Sequence, residues 1–185
     1  MPGSGAQAQF RHSSSPIRWE VPSKASDSMP VAIRPATLRD MTFIAATMRD
    51  QDRREIRAVI EESDTAIGTM LFHSSTDLAW TAWIEGDPVA AFGVTRLFPG
   101  LGSGWAYGTR RMRRTIPAVT RFARSSVRPL LMAEGFRRIE VRTAIDHDLS
   151  HRWLEGLGFR REGIALDYGH GGLDFVTYAA TGSRS

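Results

Sequence analysis

The sequence predicts an α/β fold, a mixed sheet flanked by helices and preceded by an extended low-complexity N-terminal arm. Three observations predict it. From residue 30 onward, segments with period-two apolar alternation take turns with segments of helical periodicity, the pattern of a layered α/β domain. Turn and cap residues stand at most of the boundaries between them. The first 29 residues are instead rich in Ser, Pro, Gly, Ala and Gln. Such a stretch buries too little surface to offset its ordering entropy.

At 185 residues the chain has room for one domain with a substantial core. The expected division is an arm over 1–29, a domain over 30–180 and a polar tail over 181–185. No apolar run approaches the ~20 residues that cross a bilayer. The start, MPGSGAQAQF, lacks a basic segment followed by an apolar one, so no secretion signal is expected. Cysteine is absent, which excludes disulfides and thiolate chemistry, and no metal site is inferred from the five histidines. All but one of the 24 basic residues are arginine, a composition suited to phosphate or acidic protein surfaces but also produced by codon bias alone.

Along the domain, Val31–Arg34 alternates as a strand. Thr37 is placed to cap a helix whose apolar stripe is Met41, Ile44, Ala45 and Met48. Helical stretches over about 52–62 (Ile56, Val59 and Ile60 inward) and 65–72 follow. Strands at 78–84 and 89–95 flank the turn Glu85-Gly86-Asp87-Pro88, a hairpin. A Gly-rich loop over 99–104 leads to a short strand at 105–109. A long helix starts near Ile116 with Pro117 in its first turn, and Pro129 is expected to end or kink it. Arg138–Arg142 alternates as a strand with one wet face, which makes Glu140 a poor candidate for a desolvated base. Asp146 is expected to cap a helix over 147–157 that Gly158 closes. Strands at 159–166 and 173–178, joined by a turn at 169–172, complete the order. Trp80, Trp83, Trp105 and Trp153 are expected in the core or on sheet faces.

The stretch Thr143-Ala-Ile-Asp-His-Asp-Leu-Ser-His-Arg-Trp-Leu-Glu-Gly-Leu-Gly-Phe159 is similar to the penultimate helix of the GNAT (GCN5-related N-acetyltransferase) superfamily with its closing Leu-Gly-Phe. Over 31–178 the element order also resembles that superfamily. Three shorter stretches, 86–93, 105–109 and 152–159, resemble a phage-encoded GNAT-like family that includes internal virion proteins of short-tailed phages.

The resemblance implies an acetyl-CoA pyrophosphate loop at 108–115 and a tyrosine at position 154 to protonate the leaving thiolate. Neither is recognisable. The loop reads Gly108-Thr109-Arg110-Arg111-Met112-Arg113-Arg114-Thr115 and has no glycine after Gly108, although backbone approaches phosphate closely only where side chains are absent. Its arginines suit phosphate contact through side chains, a partner surface, or plain solvation. Position 154 is leucine, and Ser150 and His151 do not replace the tyrosine by simple counting. If acyl-CoA binds, the expected contacts are Gly108, Thr109, Arg110, Arg111, Arg113 and His147, the last standing where the superfamily places an Asn. Tyr107 and Tyr168 could approach the cleft from other strands, and Glu85 is expected to be solvated in its turn. No catalytic residue is assigned.

Arg114, Arg121 and Arg128 are spaced by seven, one face of a helix, with Arg124 beside them. In the arm, Phe10, Ile17 and Trp19 are candidate anchors. The leading expectation is therefore a non-enzymatic phage virion or assembly component: a degenerate GNAT fold, located in the virion or in the host cytoplasm during assembly. It would bind other virion protein chains through Phe10, Ile17, Trp19, Arg114, Arg121, Arg124 and Arg128, with no cofactor. The alternative is an acetyl-CoA-dependent N-acyltransferase. A third is a nonspecific nucleic-acid binder, for which the basic ridge suffices although no aromatic residues interleave it.

Overall fold

Seven strands form one sheet in the order β1-β2-β3-β4-β5-β7-β6 in a computed structural model that describes residues 30–182. The expected arm contacts Phe10, Ile17 and Trp19 lie outside the described residues, as do 183–185. The strands are β1 (Val31–Pro35), β2 (Ala79–Ile84), β3 (Asp87–Phe98), β4 (Leu101–Gly108), β5 (Arg138–Ala144), β6 (Arg160–Gly169) and β7 (Leu173–Thr181). The helices are α1 (Leu38–Ala46), α2 (Asp50–Arg57), α3 (Asp64–Ser75), α4 (Ile116–Phe122), α5 (Arg128–Ala133) and α6 (Asp148–Leu157). Neighbouring strands pair antiparallel except β4 with β5, which run parallel. Among the described residues no helix is long and apolar enough to cross a membrane.

Several local expectations are met for the expected reasons. Thr37 Oγ1 accepts the Asp40 amide at 3.2 Å and starts α1, whose stripe of Met41, Ile44, Ala45 and Met48 is buried. Glu85 and Gly86 both take positive φ, 55° and 86°, the two-residue turn whose twist suits a hairpin. Gly158 closes α6 in the left-handed conformation.

Others are corrected. The stretch 99–104 is mostly strand, because β3 runs to Phe98 and β4 starts at Leu101. Gly100 makes the turn at φ 85°, while Gly102 serves packing: a Cβ there would lie 2.6 Å from Val94 Cγ1 and 2.8 Å from the Phe136 ring. Pro129 does not end its helix. A π turn over Ala123–Val127 precedes it, and the helix continues to Ala133. The wide turn accommodates a residue that lacks an N–H and crowds the carbonyl behind it. Helix α2 stops at Arg57, leaving Val59 half exposed. Asp146 does not cap α6; His147 takes that position, and the Asp146 carboxylate accepts from Arg54 Nη1 at 2.6 Å. Strand β7 runs one residue into the expected tail.

The sheet is packed on both faces. Trp80, Phe92, Val119, Leu131, Phe136 and Ile139 form the core under α4 and α5, while Met41, Ile44, Met48, Ala91 and Tyr107 form the one under α1 to α3. A smaller cluster of Leu154, Val176 and Tyr178 lies under α6. Trp80 is buried, as expected, and the half-buried Trp105 and Trp153 donate their indole N–H groups to Ser75 and Thr120.

Candidate functional site

Strands β4 and β5 pair at only three positions: Leu101 with Arg138, Gly102 with Ile139 and Ser103 with Glu140. Beyond them β4 stays paired to β3 as far as Gly108, and β5 stays paired to β7 as far as Ala144. The two strands therefore splay, and from Gly104 onward the β5-facing edge of β4 has no strand partner among the described residues. The opening holds a cavity of about 560 Å³ with Trp105, Tyr107, Val119, Val141, Trp153 and Leu154 in its lining. Residues from both sheet faces line it, so it is a passage through the sheet.

Helix α2 stands at the wide end. Spacing of three along the helix sets Arg49, Asp52 and Glu55 toward one side, and together they bridge the parted strands. The Gly108 amide donates to Asp52 Oδ2 at 2.9 Å, and the Arg49 amide donates to the Gly108 carbonyl at 2.9 Å. Arg49 Nη2 lies 2.7 Å from Asp52 Oδ1 and 3.5 Å from His147 Nε2. His147 Nδ1 lies 2.7 Å from Glu55 Oε2, and Thr143 Oγ1 donates to the same oxygen at 3.1 Å. With Arg49 on Nε2, the partners assign the proton to Nδ1, which donates to Glu55. A chain of polar contacts thus runs from the last residue of β4 to β5. Asp52 is only 4% exposed, a position a carboxylate tolerates when paired and hydrogen-bonded.

Glu55 is distinctive within this chain. Both of its bonds fall on Oε2, and Oε1 has no donor among the described residues. Its side chain lines the large cavity and also a pocket of about 40 Å³ that Arg49, Asp52, His147 and Ser150 share with apolar residues such as Met112 and Trp153. Arg49 Nε is buried there without a partner.

The residues expected to hold acyl-CoA divide. Residues 110–115 form a 3₁₀ turn capped by Thr109, and four amides over 108–112 are engaged internally. Gly108 donates to Asp52, Thr109 to the Val89 carbonyl at 2.9 Å, Arg111 to Thr109 Oγ1 at 3.2 Å and Met112 to the Thr109 carbonyl at 3.0 Å. Gly108 is required by packing, since a Cβ there would lie 2.7 Å from Met112 Cβ. The Arg111 guanidinium binds Glu85 and Asp87 at 2.8 Å each, so Glu85 is paired as well as solvated. Arg110 reaches only Asp50, at 3.6 Å, and Arg113 is exposed with no carboxylate partner among the described residues. His147 is buried at the site's centre and is not a surface helix-start residue.

The expected arginine ridge is broken. Arg114 lies in the 3₁₀ turn, and the π turn falls between Arg121 and Arg128, so spacing by seven no longer aligns them. Arg124 donates to the Gly156 carbonyl and, with Arg128, lines the cavity; Arg114 and Arg121 are exposed.

Leu154 is buried in the core and offers no proton. The Tyr107 hydroxyl donates to the Met41 carbonyl at 3.1 Å, and burial pushes its pKa well above the ordinary tyrosine value. The Tyr178 pKa is raised too, by burial and then by Glu155. Ser150 lines both cavities and Tyr168 the larger one. His147 and His151 stand four apart on α6, but their rings serve separate partners. His151 reaches Tyr178 Oη at 3.1 Å and the Ile145 carbonyl at 3.0 Å. Sequence reasoning passed over Arg49, Asp52, Glu55 and Thr143. The available signal was the one-sided spacing of the first three on a helix otherwise poor in apolar residues.

The fold is the GNAT fold. It is similar to a GNAT superfamily phosphinothricin acetyltransferase from Sinorhizobium meliloti, solved in complex with AcCoA, with a TM-score of 0.67 and 19% identity over 83% of this chain and 89% of that one. It is also similar to Ard1 from Thermoplasma volcanium (TM-score 0.64, 13% identity, 83% and 99% of the two chains). A GNAT-family acetyltransferase from Bacillus anthracis gives a TM-score of 0.60 at 16% identity over 82% and 94%. No family model and no curated protein matches the sequence. The S. meliloti and B. anthracis neighbours, both acetyltransferases, correct the leading expectation of a non-enzymatic virion scaffold, and in this chain parted strands carry a chain of polar contacts at their wide end.

Proposed function

We propose that this chain is an acyl-CoA-dependent N-acyltransferase. The observation that carries the reading is Glu55: a carboxylate with one oxygen fixed by His147 and Thr143 and the other without a donor among the described residues, at a passage between parted strands. The unpaired edge of β4 supplies backbone donors and acceptors for an extended pantetheine chain, as an added strand would use them. The apolar lining suits its methylene and acyl parts.

In the loop that a GNAT enzyme turns toward pyrophosphate, the amides of Gly108, Thr109, Arg111 and Met112 are engaged internally here, so much of the phosphate contact falls to side chains. Arg110 and Arg113, both exposed in this loop, fill that role through charge-assisted hydrogen bonds. Arg111 does not, because two carboxylates hold it.

In the reaction, Glu55 Oε1 accepts a proton from the incoming ammonium, and the freed lone pair attacks the thioester carbonyl. A C–N bond forms as the C–S bond breaks, and the thiolate leaves with a proton. Ser150, at the passage in the first turn of α6, is the hydroxyl assigned to relay it in place of Leu154: it takes the second proton that the acylated nitrogen sheds as it hands its own to the sulfur. Thr143 and His147 hold Glu55 in position, which is the larger share of catalysis in a reaction dominated by orientation. The narrower likeness to a phage-encoded branch rests on three short stretches and carries no part of this reading.

Titration calorimetry with acetyl-CoA, followed by thiol release with a panel of amines, tests the proposal. Micromolar binding and amine-dependent thiol release that Glu55→Gln abolishes are the expected results. Absence of acetyl-CoA binding by the full chain overturns it.

A further inference from the structure

On the α1–α3 side of the sheet the passage opens into a bowl. Val59 and Met70 line it from the helical side, Tyr168 from the β6 end, and Trp105, Glu140 and Arg142 from the sheet. The two walls touch, which limits its size. The His170 amide donates to the Ala58 carbonyl at 2.6 Å, and Gly169 permits the approach, since a Cβ there would lie 3.0 Å from the Ala58 Cβ.

Two kinds of surface meet in this bowl. Val59, Met70 and Tyr168 remain 47%, 41% and 47% exposed. Scattered singly they would signify nothing, but gathered around one concavity they mark a place for an apolar body. The charges are unequal. Arg138 holds Glu140 at 2.7 Å and also Glu162, so both carboxylates are engaged. Arg142 is left with Glu140 at 3.8 Å as its one carboxylate among the described residues, and its guanidinium stands 5.2 Å over the Tyr168 ring. A guanidinium fork with unused donors beside an aromatic ring is a receptor for a carboxylate. The next residue along β5, Thr143, is the one that bonds Glu55.

We infer, resting on the acyltransferase reading above, that the acceptor is a small amphipathic amino acid. Its carboxylate lies on Arg142, its apolar or aromatic body lies against Val59, Met70, Trp105 and Tyr168, and its amine points to Glu55. A site that pairs a buried polar group with the ligand rejects analogues lacking that group, because its own donors then go unsatisfied. Polyamines and simple alkylamines lack the acid, and a bowl closed by the contact of α2 with the β6–β7 turn does not admit a folded protein surface.

The test titrates the full chain by tryptophan fluorescence, with Trp105 in the bowl. The probes are phenylalanine and leucine, each against its decarboxylated amine, phenethylamine and isoamylamine. At least one acid binds about tenfold or more tighter than its amine; Arg142→Gln removes that preference, and Arg142→Lys keeps part of it. Equal binding of acid and amine, no saturation by either acid, or a preference that survives Arg142→Gln overturns the inference. Acetyl-CoA calorimetry runs in parallel on the same variants. Acetyl-CoA binding without acid preference leaves the acyltransferase reading and removes only the acceptor class. Acid preference without acetyl-CoA binding does the reverse: the Arg142 site stands as a carboxylate site, and acyl transfer falls.

Discussion

His147 Nδ1 lies 2.7 Å from Glu55 Oε2, joining the start of α6 to the middle of α2 across the open end of the sheet. The same carboxylate oxygen receives Thr143 Oγ1, so two donors fix Glu55 while its other oxygen is left for chemistry. Glu55→Gln preserves size and removes the proton acceptor. It is expected to lower kcat by about 10²- to 10⁴-fold and to leave the acetyl-CoA Kd within about twofold, as read by steady-state thiol release and calorimetry. An equal fall in acetyl-CoA affinity would assign Glu55 to donor binding.

Arg111 and its neighbours separate by what already holds them. Arg111 is engaged by Glu85 and Asp87, whereas Arg110 and Arg113 face solvent. Arg111→Ala is expected to cost up to about 1 kcal/mol of stability, the range of partly exposed ion pairs, with acetyl-CoA affinity unchanged. The double change Arg110→Ala with Arg113→Ala should leave the melting temperature alone and weaken acetyl-CoA by about tenfold or more, with a shallower salt dependence. Denaturant melts and calorimetry at two ionic strengths distinguish the pair.

Gly68 marks where α3 crosses α1. A Cβ at that position would stand 2.9 Å from the Met41 carbonyl oxygen and 3.1 Å from Thr42 Cα, both backbone. Neither atom yields by a rotamer change, so Gly68→Ala is expected to destabilise by about 1–3 kcal/mol despite the better helix propensity of alanine. Urea denaturation measures it. Gly156→Ala, in α6 with nothing within 4 Å of its Cβ, is the control and should be neutral or stabilising.

Tyr107 is buried with its hydroxyl on the Met41 carbonyl, and burial raises its pKa above the ordinary value. In the unfolded chain the same phenol ionises near ~10. The folded value is the higher one, so the contribution to stability is complete below about pH 10 and is lost as pH climbs beyond it. Unfolding followed by circular dichroism should therefore steepen on the alkaline side. Tyr107→Phe should remove part of that steepening and lower stability near neutrality by about 1 kcal/mol through the lost hydrogen bond.

Much of the fold was legible in the chain because it is written locally. The Thr37 cap, the stripe from Met41 to Met48, the Glu85-Gly86 turn and the Gly158 stop are signals within a few residues of the structure they specify. What failed was set by distant partners. The glycines of 99–104 read as a loop, yet Gly102 and Gly104 are small because Phe136, Ile139 and Val141 come close from elsewhere in the fold. The site shows the same division. His147 was placed by its position in a family-like stretch, while Glu55 on a charged helix carried only the one-sided spacing that it shares with Arg49 and Asp52. Its role depends on Thr143 and His147, 88 and 92 residues further along, and no short-range pattern encodes such a meeting. The arginines misled for the complementary reason. Spacing by seven presumes a uniform α-helix, and a 3₁₀ turn and a π turn interrupt this one.

The short parallel seam between β4 and β5 makes the sheet two plates joined by a hinge. Three residue pairs at one end and the Arg49–Asp52–Glu55–His147 linkage at the other set the angle between the plates. The backbone of β7, between β5 and β6, is locked into a ladder on both sides, whereas the facing edges of β4 beyond Ser103 and β5 beyond Glu140 have no such lock. Those edge amides should exchange with deuterium faster than the paired interior of the sheet, and a molecule that zips along them should slow them selectively. The seam thus provides a built-in reporter of occupancy that needs neither a label nor a known reaction.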